Sequence, residues 1–528
     1  MYKKSAVITC KSAFYQISCA DGANFRCFAA QNTLRLASQN TLLPIPYLRL
    51  MLYTSHQTRL RGFAVWFRGG IMFTEEKHWD TIYCRCSDPA GILSSGSGCS
   101  INPAVCLPVE DKNVRALLFT GNFGLEKESM RITEDGRLAH TPDPFSGSRH
   151  VVRDFAENQT EINTGISTTA EGAVAELEKY TEMILAKLKE QPEPEYLWPF
   201  SNPPYIENEE DIPIAVYTGA EAGKSEYRKY LAGRYGRYKM TVCGIHVNYS
   251  FSDELLEAGF KASGQSDPGS YKNALYLKLA RRCAALGWVV TVLTAASPVM
   301  DNSYFETGRG GRDTFSGMAS VRCSELGYWN HFAAAFDYTS LKDYTDSIQF
   351  FVDNRFIAYA SELYYPVRLK PPGAFDLDAL KEKGADHIEL RMVDLNPLVF
   401  SGLDVRDLKF IQLLLIYLAC APDEPFSNEA QIQAVQNFKN AAHYDLGIVK
   451  IVSSTGIALP ADTAALNVLA DMKAFFSPLS GDACDILAFE EEKLLHPEKR
   501  YASIVREKYS DTFLKKGLEL ALSNSGPF

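Results

Sequence analysis

Three short stretches place polar residues two positions apart inside apolar, strand-like runs: GLEKES at 124–129, CGIHVNYSF at 243–251 and HIELRMVDLNP at 387–397. In a β-strand, residues i and i+2 point to one face, about 6.7 Å apart. Glu126 with Glu128, His246 with Asn248, and Glu389 with Arg391 therefore each share a sheet face. Like charges side by side on a sheet repel. A face that collects carboxylates needs a compensating cation, and oxygen-rich clusters suit Mg²⁺ or Mn²⁺. The chemistry this arrangement points to is metal-assisted phosphoryl transfer on a sheet.

The elements that must position these pairs read as α+β. Residues 116–133 predict a strand or hairpin arm that ends at the turn Glu134, Asp135, Gly136. Val174, Leu177, Ile184 and Leu188 form one stripe of an amphipathic helix at 171–190. The Pro-rich segment QPEPEYLWPFSNPP (191–204) reads as loop. A helix near 224–233 and a strand at 239–251 follow, then a helix at 271–287 and a strand at 288–295. The segment TGRGGRD (307–313) is a Gly-rich, basic loop without the Lys-Ser/Thr ending of a P-loop. Further helices are expected near 341–361 and 404–420. Strands separated by helices of varied length, with no regular βαβ period, favour a mixed or antiparallel sheet.

Composition bounds the remaining classes. With 46% hydrophobic and 22% charged residues the chain reads as globular. A net charge of −10 argues against broad nucleic-acid binding, which needs a basic face. The longest apolar run, 410–420, is too short for a membrane helix and predicts a buried core helix. Positions 1–110 differ from the rest: they hold 11 Lys/Arg against 6 Asp/Glu, and seven of the 12 cysteines. Cys84, Cys86, Cys99 and Cys106 match zinc spacing poorly. Lys3 and Lys4 lead into no signal-peptide pattern, which favours a cytoplasmic protein. We read 1–112 as an unassigned, Cys-rich extension and 113–528 as the catalytic domain.

Seven ordered blocks carry a family resemblance: GLEKESMRI (124–132), RDFAENQTEI (153–162), EYRKYLAGRYG (226–236), CGIHVNYSF, ASPVMDNSYF (296–305), RCSELGYWN (322–330) and IELRMVDLNP (388–397). Their order resembles that of bacterial glutamate–cysteine ligases. EYLWPFSNPP (195–204) is most similar to the N-terminal ligase half of bifunctional glutathione synthases. The resemblance covers about 115–420 well and 421–528 more loosely. It implies a fold like the catalytic domain of glutamine synthetase, an antiparallel sheet curved into a funnel with helices outside.

The activity implied is ATP-dependent joining of the γ-carboxylate of L-glutamate to the amine of L-cysteine through an acyl phosphate. Alternatives are the ligase half of a bifunctional glutathione synthase, or a ligase using another amine. By resemblance, Glu126, Glu128, Asp154, Glu161, His246 and Glu389 match metal ligands, with Glu389 also counted as catalytic. Asn248, with His246, matches a nucleotide contact. Arg322 and Arg391 match the positive groups at the glutamate and phosphoryl positions. Phe155, Tyr227, Leu231 and Tyr328 match the pocket for the amine's side chain, beside Arg322. The implied partners are small molecules, with Mg²⁺ or Mn²⁺ as cofactor and ATP as substrate. Within DFAENQTE, Glu157 competes with Asp154 and Glu161 as a ligand. Asn163 and Gly165 stand where the family more often has apolar residues and Pro. Cys243 stands where a small Ser is usual. The chain ends at Phe528 without a second Gly-rich ATP-grasp domain, which fits a stand-alone ligase or the first half of a bifunctional enzyme.

Overall fold

The computed structural model describes residues 105–305, 313–327 and 329–526, together with the backbone of five short strands between Ala6 and Pro44. Those five strands pair in sequence order as an antiparallel meander within a unit spanning Met1–Cys99. Cys84, Cys86 and Cys99 lie outside the described residues, while Cys106 is a half-buried free thiol.

The second unit, Ser100–Phe528, is built on a seven-stranded antiparallel sheet. Its strands are β1 (Gly121–Thr133), β2 (Val151–Arg153), β3 (Gln159–Asn163), β4 (Glu195–Leu197), β5 (Ile245–Phe251), β6 (Val367–Lys370) and β7 (His387–Val393). Across the sheet the order is β6-β7-β5-β1-β3-β2, with β4 pairing the far end of β1. The α+β expectation with an antiparallel sheet therefore holds. One face is apolar: Leu125, Val247, Leu369 and Leu390 are fully buried on it. Helices α1 (Ala170–Lys189), α3 (Pro268–Leu286) and α4 (Trp288–Thr294) pack against these strands; α2 (Ala222–Tyr235) lies between α1 and β5 in the chain. Helix α1 starts where Thr169 accepts the Gly172 amide, and it buries the predicted stripe of Val174, Leu177, Ile184 and Leu188.

Several elements differ from expectation. The stretch 116–133 is not one strand: Asp111 caps a short helix, Lys112–Leu117, and β1 begins at Gly121. Residues 288–295, expected as a strand, form the helix α4. Its β-branched composition imitates a strand, but every residue from Trp288 to Thr294 is buried, so no polar face is left to give a period. Gly287 keeps a helical φ of −62°, so it joins α3 to α4 rather than ending helical structure. The strand expected from 239 begins only at Ile245, after a 3₁₀ turn at Tyr238–Thr241. The helix expected to reach 361 is α5 (Leu341–Asp353) and stops eight residues earlier. The Pro-rich loop at 191–204 contains the short strand β4. Of the basic loop expected at 307–313, residues 307–312 lie outside the described residues, and Asp313 opens a short strand, Asp313–Phe315.

The apolar run at 410–420 is a core helix, α6 (Val405–Cys420), with Phe410, Ile411 and Leu414 fully buried. Among the described residues no helix is long and apolar enough to cross a membrane. The compact unit also reaches upstream of residue 113. Leu107 is 1% exposed, and its amide donates to Ala419 O at 3.1 Å, which pins the segment to the end of α6.

Candidate active site

Strand register collects the polar pairs on the face opposite the helices. Glu126 stands across from His246 on one side and Asn163 on the other. Glu128 stands across from Glu161, Asn248 from Glu389, and Glu389 from Arg368. The register of β5 against β7 shifts between Ile245 and Val247, and this irregularity falls beside Arg391.

The side chains meet in a connected network. His246 Nδ1 lies 2.9 Å from Glu126 Oε2, and Asn248 Nδ2 donates to Glu126 Oε1 at 3.0 Å. Lys370 Nζ bridges Glu126 Oε1 at 3.3 Å and Glu389 Oε1 at 3.2 Å. Arg391 Nη1 donates to the same Glu389 oxygen at 3.1 Å, and Arg368 Nη1 lies 3.6 Å from Glu389 Oε2. Arg322 Nη2 is 3.2 Å from His246 Nε2, and Arg322 Nη1 donates to Arg391 O. Glu128 Oε2 accepts the Gly244 amide at 3.1 Å, and its Oε1 lies 3.9 Å from His246 Nε2.

Burial sets the charge states. His246 is held down to about 4 by burial and by the Arg391 charge, so it is neutral near pH 7. A neutral ring with Nδ1–H donating to Glu126 leaves Nε2 to accept from Arg322. Burial pushes Glu389 upward, but Arg391, Arg368 and Lys370 outweigh it and keep the carboxylate ionised. Burial also opposes ionisation of Glu126, and its hydrogen bond with His246 and the Lys370 charge carry it to about 2. Glu128 goes the other way, to about 8, through burial and the neighbouring Asp154. Glu161 is likewise raised well above the carboxylate range by burial and by Asp154, Glu126 and Glu128. Carboxyls that raise one another in this way are a site short of positive charge.

Glu126, His246 and Glu389 offer ligand atoms that all lie within 4.8 Å of one another. Two buried oxygens there, Glu389 Oε2 and Asn248 Oδ1, have no hydrogen-bond partner among the described residues. An oxygen-rich cluster with spare acceptors suits a divalent cation. Glu128 adjoins this group. Asp154 and Glu161 do not join it directly, but both lie within electrostatic range. Glu157, the rival ligand, instead pairs with Arg153 at 2.7 Å.

The expected pocket residues differ in burial. Phe155 and Leu231 are buried. Tyr227 is half-buried, with Ser361 Oγ donating to its hydroxyl at 3.4 Å and Tyr359 edge-on at 5.1 Å. Tyr328 lies outside the described residues. A cavity beside Arg322 and Arg391 is lined by Cys323, Trp329, Tyr364 and Pro366. Cys243 is fully buried and packs against Gln159. Arg368 and Lys370 escaped the sequence reading, although VRLK (367–370) carries the same alternation of polar and apolar residues as the three stretches that were singled out.

The sequence model of the glutamate–cysteine ligase family matches residues 107–361 and 351–441. The bifunctional glutathione biosynthesis protein GshAB of Listeria monocytogenes is 34% identical over 414 residues, covering 75% of this chain and 53% of that protein. Its counterpart in Clostridium perfringens is 31% identical over 378 residues, covering 69% and 48%. The chain thus spans about half the length of the curated relatives it matches. Among solved structures, a bifunctional glutathione synthetase from Pasteurella multocida aligns with a TM-score of 0.67 at 26% identity, covering 79% of this chain and 54% of that one. The glutamate–cysteine ligase of Francisella tularensis, solved with AMP, has a TM-score of 0.70 at 20% identity, with 77% and 88% covered, a likeness of fold. By sequence the chain belongs to the glutamate–cysteine ligase family.

Proposed function

We propose that this chain joins the γ-carboxylate of L-glutamate to the amine of L-cysteine at the expense of ATP, giving γ-glutamylcysteine in the cytoplasm. The observation that carries the reading is the polar sheet face, where Glu126, Glu389 and His246 converge beside Arg391 and Arg322. A carboxylate oxygen is a poor leaving group. The γ-carboxylate therefore accepts the terminal phosphoryl of ATP first, and the amine then displaces phosphate.

Glu126, Glu389 and Glu128, with Asp154 and Glu161 behind them, would hold Mg²⁺ or Mn²⁺. When bound, the metal neutralises phosphate charge and aligns the transfer. Arg391 and Arg322, linked through the Arg391 carbonyl, place fixed positive charge for the glutamate and the migrating phosphoryl. Neutral His246 holds Glu126 and Arg322 in register across the site. Asn248 faces the nucleotide side. Phe155, Tyr227, Leu231 and Tyr328 are assigned to the amine substrate by the family resemblance alone.

The test is phosphate release and product formation with ATP and glutamate fixed and the amine varied. Cysteine is expected to be preferred, with 2-aminobutyrate still accepted, because an apolar pocket separates such isosteres by only about 1–3 kcal/mol. Equal product from glycine, ammonia and cysteine would reject the specificity. No amine-dependent phosphate release would reject the ligase reading.

A further inference from the structure

We propose that Lys370 is a tethered cation that competes with a divalent metal for Glu126 and Glu389, and that metal binding moves its ammonium group onto the nucleotide side of the site; this rests on the functional reading above. Lys370 ends β6, the edge strand of the sheet. Its Nζ sits 3.3 Å from Glu126 Oε1 and 3.2 Å from Glu389 Oε1, and so touches two of the three residues in the compact ligand group.

Lys370 and Glu126 stand on strands separated by β7 and β5. On a flat sheet that separation is about 14 Å, and side chains standing perpendicular to such a sheet would not meet. The contact spans two intervening strands, so the lysine stem leans inward across the polar face.

The neighbouring cation behaves differently. Arg368 lies on the same face but is anchored, donating to Ser361 O at 3.2 Å and to Leu363 O at 2.9 Å. Among the described residues, the hydrogen bonds of Lys370 Nζ go to the two carboxylates alone. An ammonium on a four-carbon stem is a compact charge that can swing, whereas a guanidinium held by two carbonyls is fixed.

A divalent ion ligated by Glu126 and Glu389 would put a second positive charge within a few ångströms of the Lys370 ammonium, and the two cations repel while drawing on the same pair of carboxylates. Metal binding therefore favours release of Lys370. Before release the lysine neutralises the pair and lowers the apparent affinity for metal. After release its charge is free beside the polyphosphate that the metal would bring. The two roles predict opposite effects of removing the charge.

The experiment is Mn²⁺ binding followed by the electron paramagnetic resonance of free Mn²⁺, on the full chain without nucleotide. Lys370→Met, which keeps the apolar stem, is expected to bind Mn²⁺ about tenfold more tightly than the unaltered chain, as expected for removal of a unit charge within hydrogen-bond reach. With saturating Mg²⁺, the same variant is expected to raise KM for ATP about tenfold. Lys370→Arg, which keeps the charge, is expected to stay within about threefold of the unaltered chain for Mn²⁺. Circular dichroism establishes that each variant is folded, and Lys370→Gln serves if the Met variant is not. Unchanged or weaker Mn²⁺ binding in the uncharged variants would overturn the competition while leaving the functional reading standing. Absence of Mn²⁺ binding in the unaltered chain would overturn both the competition and the metal assignment.

Discussion

The guanidinium of Arg322 lies directly against the bare Cα of Gly244, the residue that leads into the strand carrying His246 and Asn248. The Gly244 backbone also holds Glu128: its amide donates to Glu128 Oε2 and its carbonyl accepts the Glu128 amide, each at 3.1 Å. One glycine thus fixes a site carboxylate through its backbone and admits a site arginine through its missing side chain.

A methyl group at 244 would collide with Nε and Cζ of Arg322. The guanidinium is the movable party, but moving it breaks its links to His246 and the Arg391 carbonyl. Gly244→Ala is therefore expected to lower kcat/KM about 100-fold, because displacing a positioned group by about 1 Å costs that much. Thermal unfolding is expected to change little. Normal turnover in this variant would show that Arg322 is not needed where it stands.

Glu126→Gln and Glu389→Gln keep side-chain shape and remove one charge each from the compact cluster. A loss of at least about 100-fold in kcat is expected, since charge stabilisation carries most of phosphoryl transfer. Raising Mg²⁺ is expected to restore activity only in part. Steady-state kinetics across a Mg²⁺ titration checks this, and near-normal turnover would remove that residue from the site.

The polar pairs were legible because a strand converts a spacing of two into a shared face, and Glu126, His246 and Glu389 need only register to meet. Register itself was not legible: that Asn248 pairs with Glu389 while donating to Glu126 depends on long-range strand order. Arg368 and Lys370 were overlooked because a four-residue edge strand is a weak signal. The helix Trp288–Thr294 was misread because complete burial erases the polar–apolar period that tells helix from strand. The anchoring near Leu107 was not legible because that segment contributes single contacts rather than a periodic element.

A second buried charge cluster predicts a pH effect on stability. Lys493 Nζ lies 2.7 Å from Asp407 and 2.8 Å from Glu490, so one ammonium serves two carboxylates. Burial, opposed by Lys493 and reinforced by Asp407, raises Glu490 well above its ordinary 4.5. An acid raised in the folded state binds its proton more tightly there than in the unfolded chain. Its ionisation therefore costs stability as pH climbs above about 4.5. Glu490→Gln removes that cost and leaves Asp407 paired with Lys493. The variant is expected to be more stable than the unaltered chain at pH 8, with the difference vanishing near pH 4. Denaturant unfolding at the two pH values measures this, and a destabilised variant at pH 8 would mean that Glu490 is ionised and favourably paired.

Two places to cut the chain are expected to behave differently. The compact unit begins at Ser100, and every residue named in the site lies beyond it. A protein starting at Ser100 is expected to fold and to ligate glutamate to cysteine at a rate similar to the full chain, because a terminal segment outside a core is usually dispensable. Starting at Glu110 is different. It removes fully buried Leu107, the Leu107 amide bond to Ala419, and the Cys106 thiol that meets Lys278 Nζ at 3.1 Å. Burying one leucine contributes about 2–3 kcal/mol, so the shorter protein is expected to melt at a clearly lower temperature while keeping its site chemistry when folded. Comparing melting curves and turnover of the two proteins decides the point. Equal stability would mean that Leu107 adds nothing to the core, and an inactive Ser100 start that is folded would tie the first 99 residues to the site.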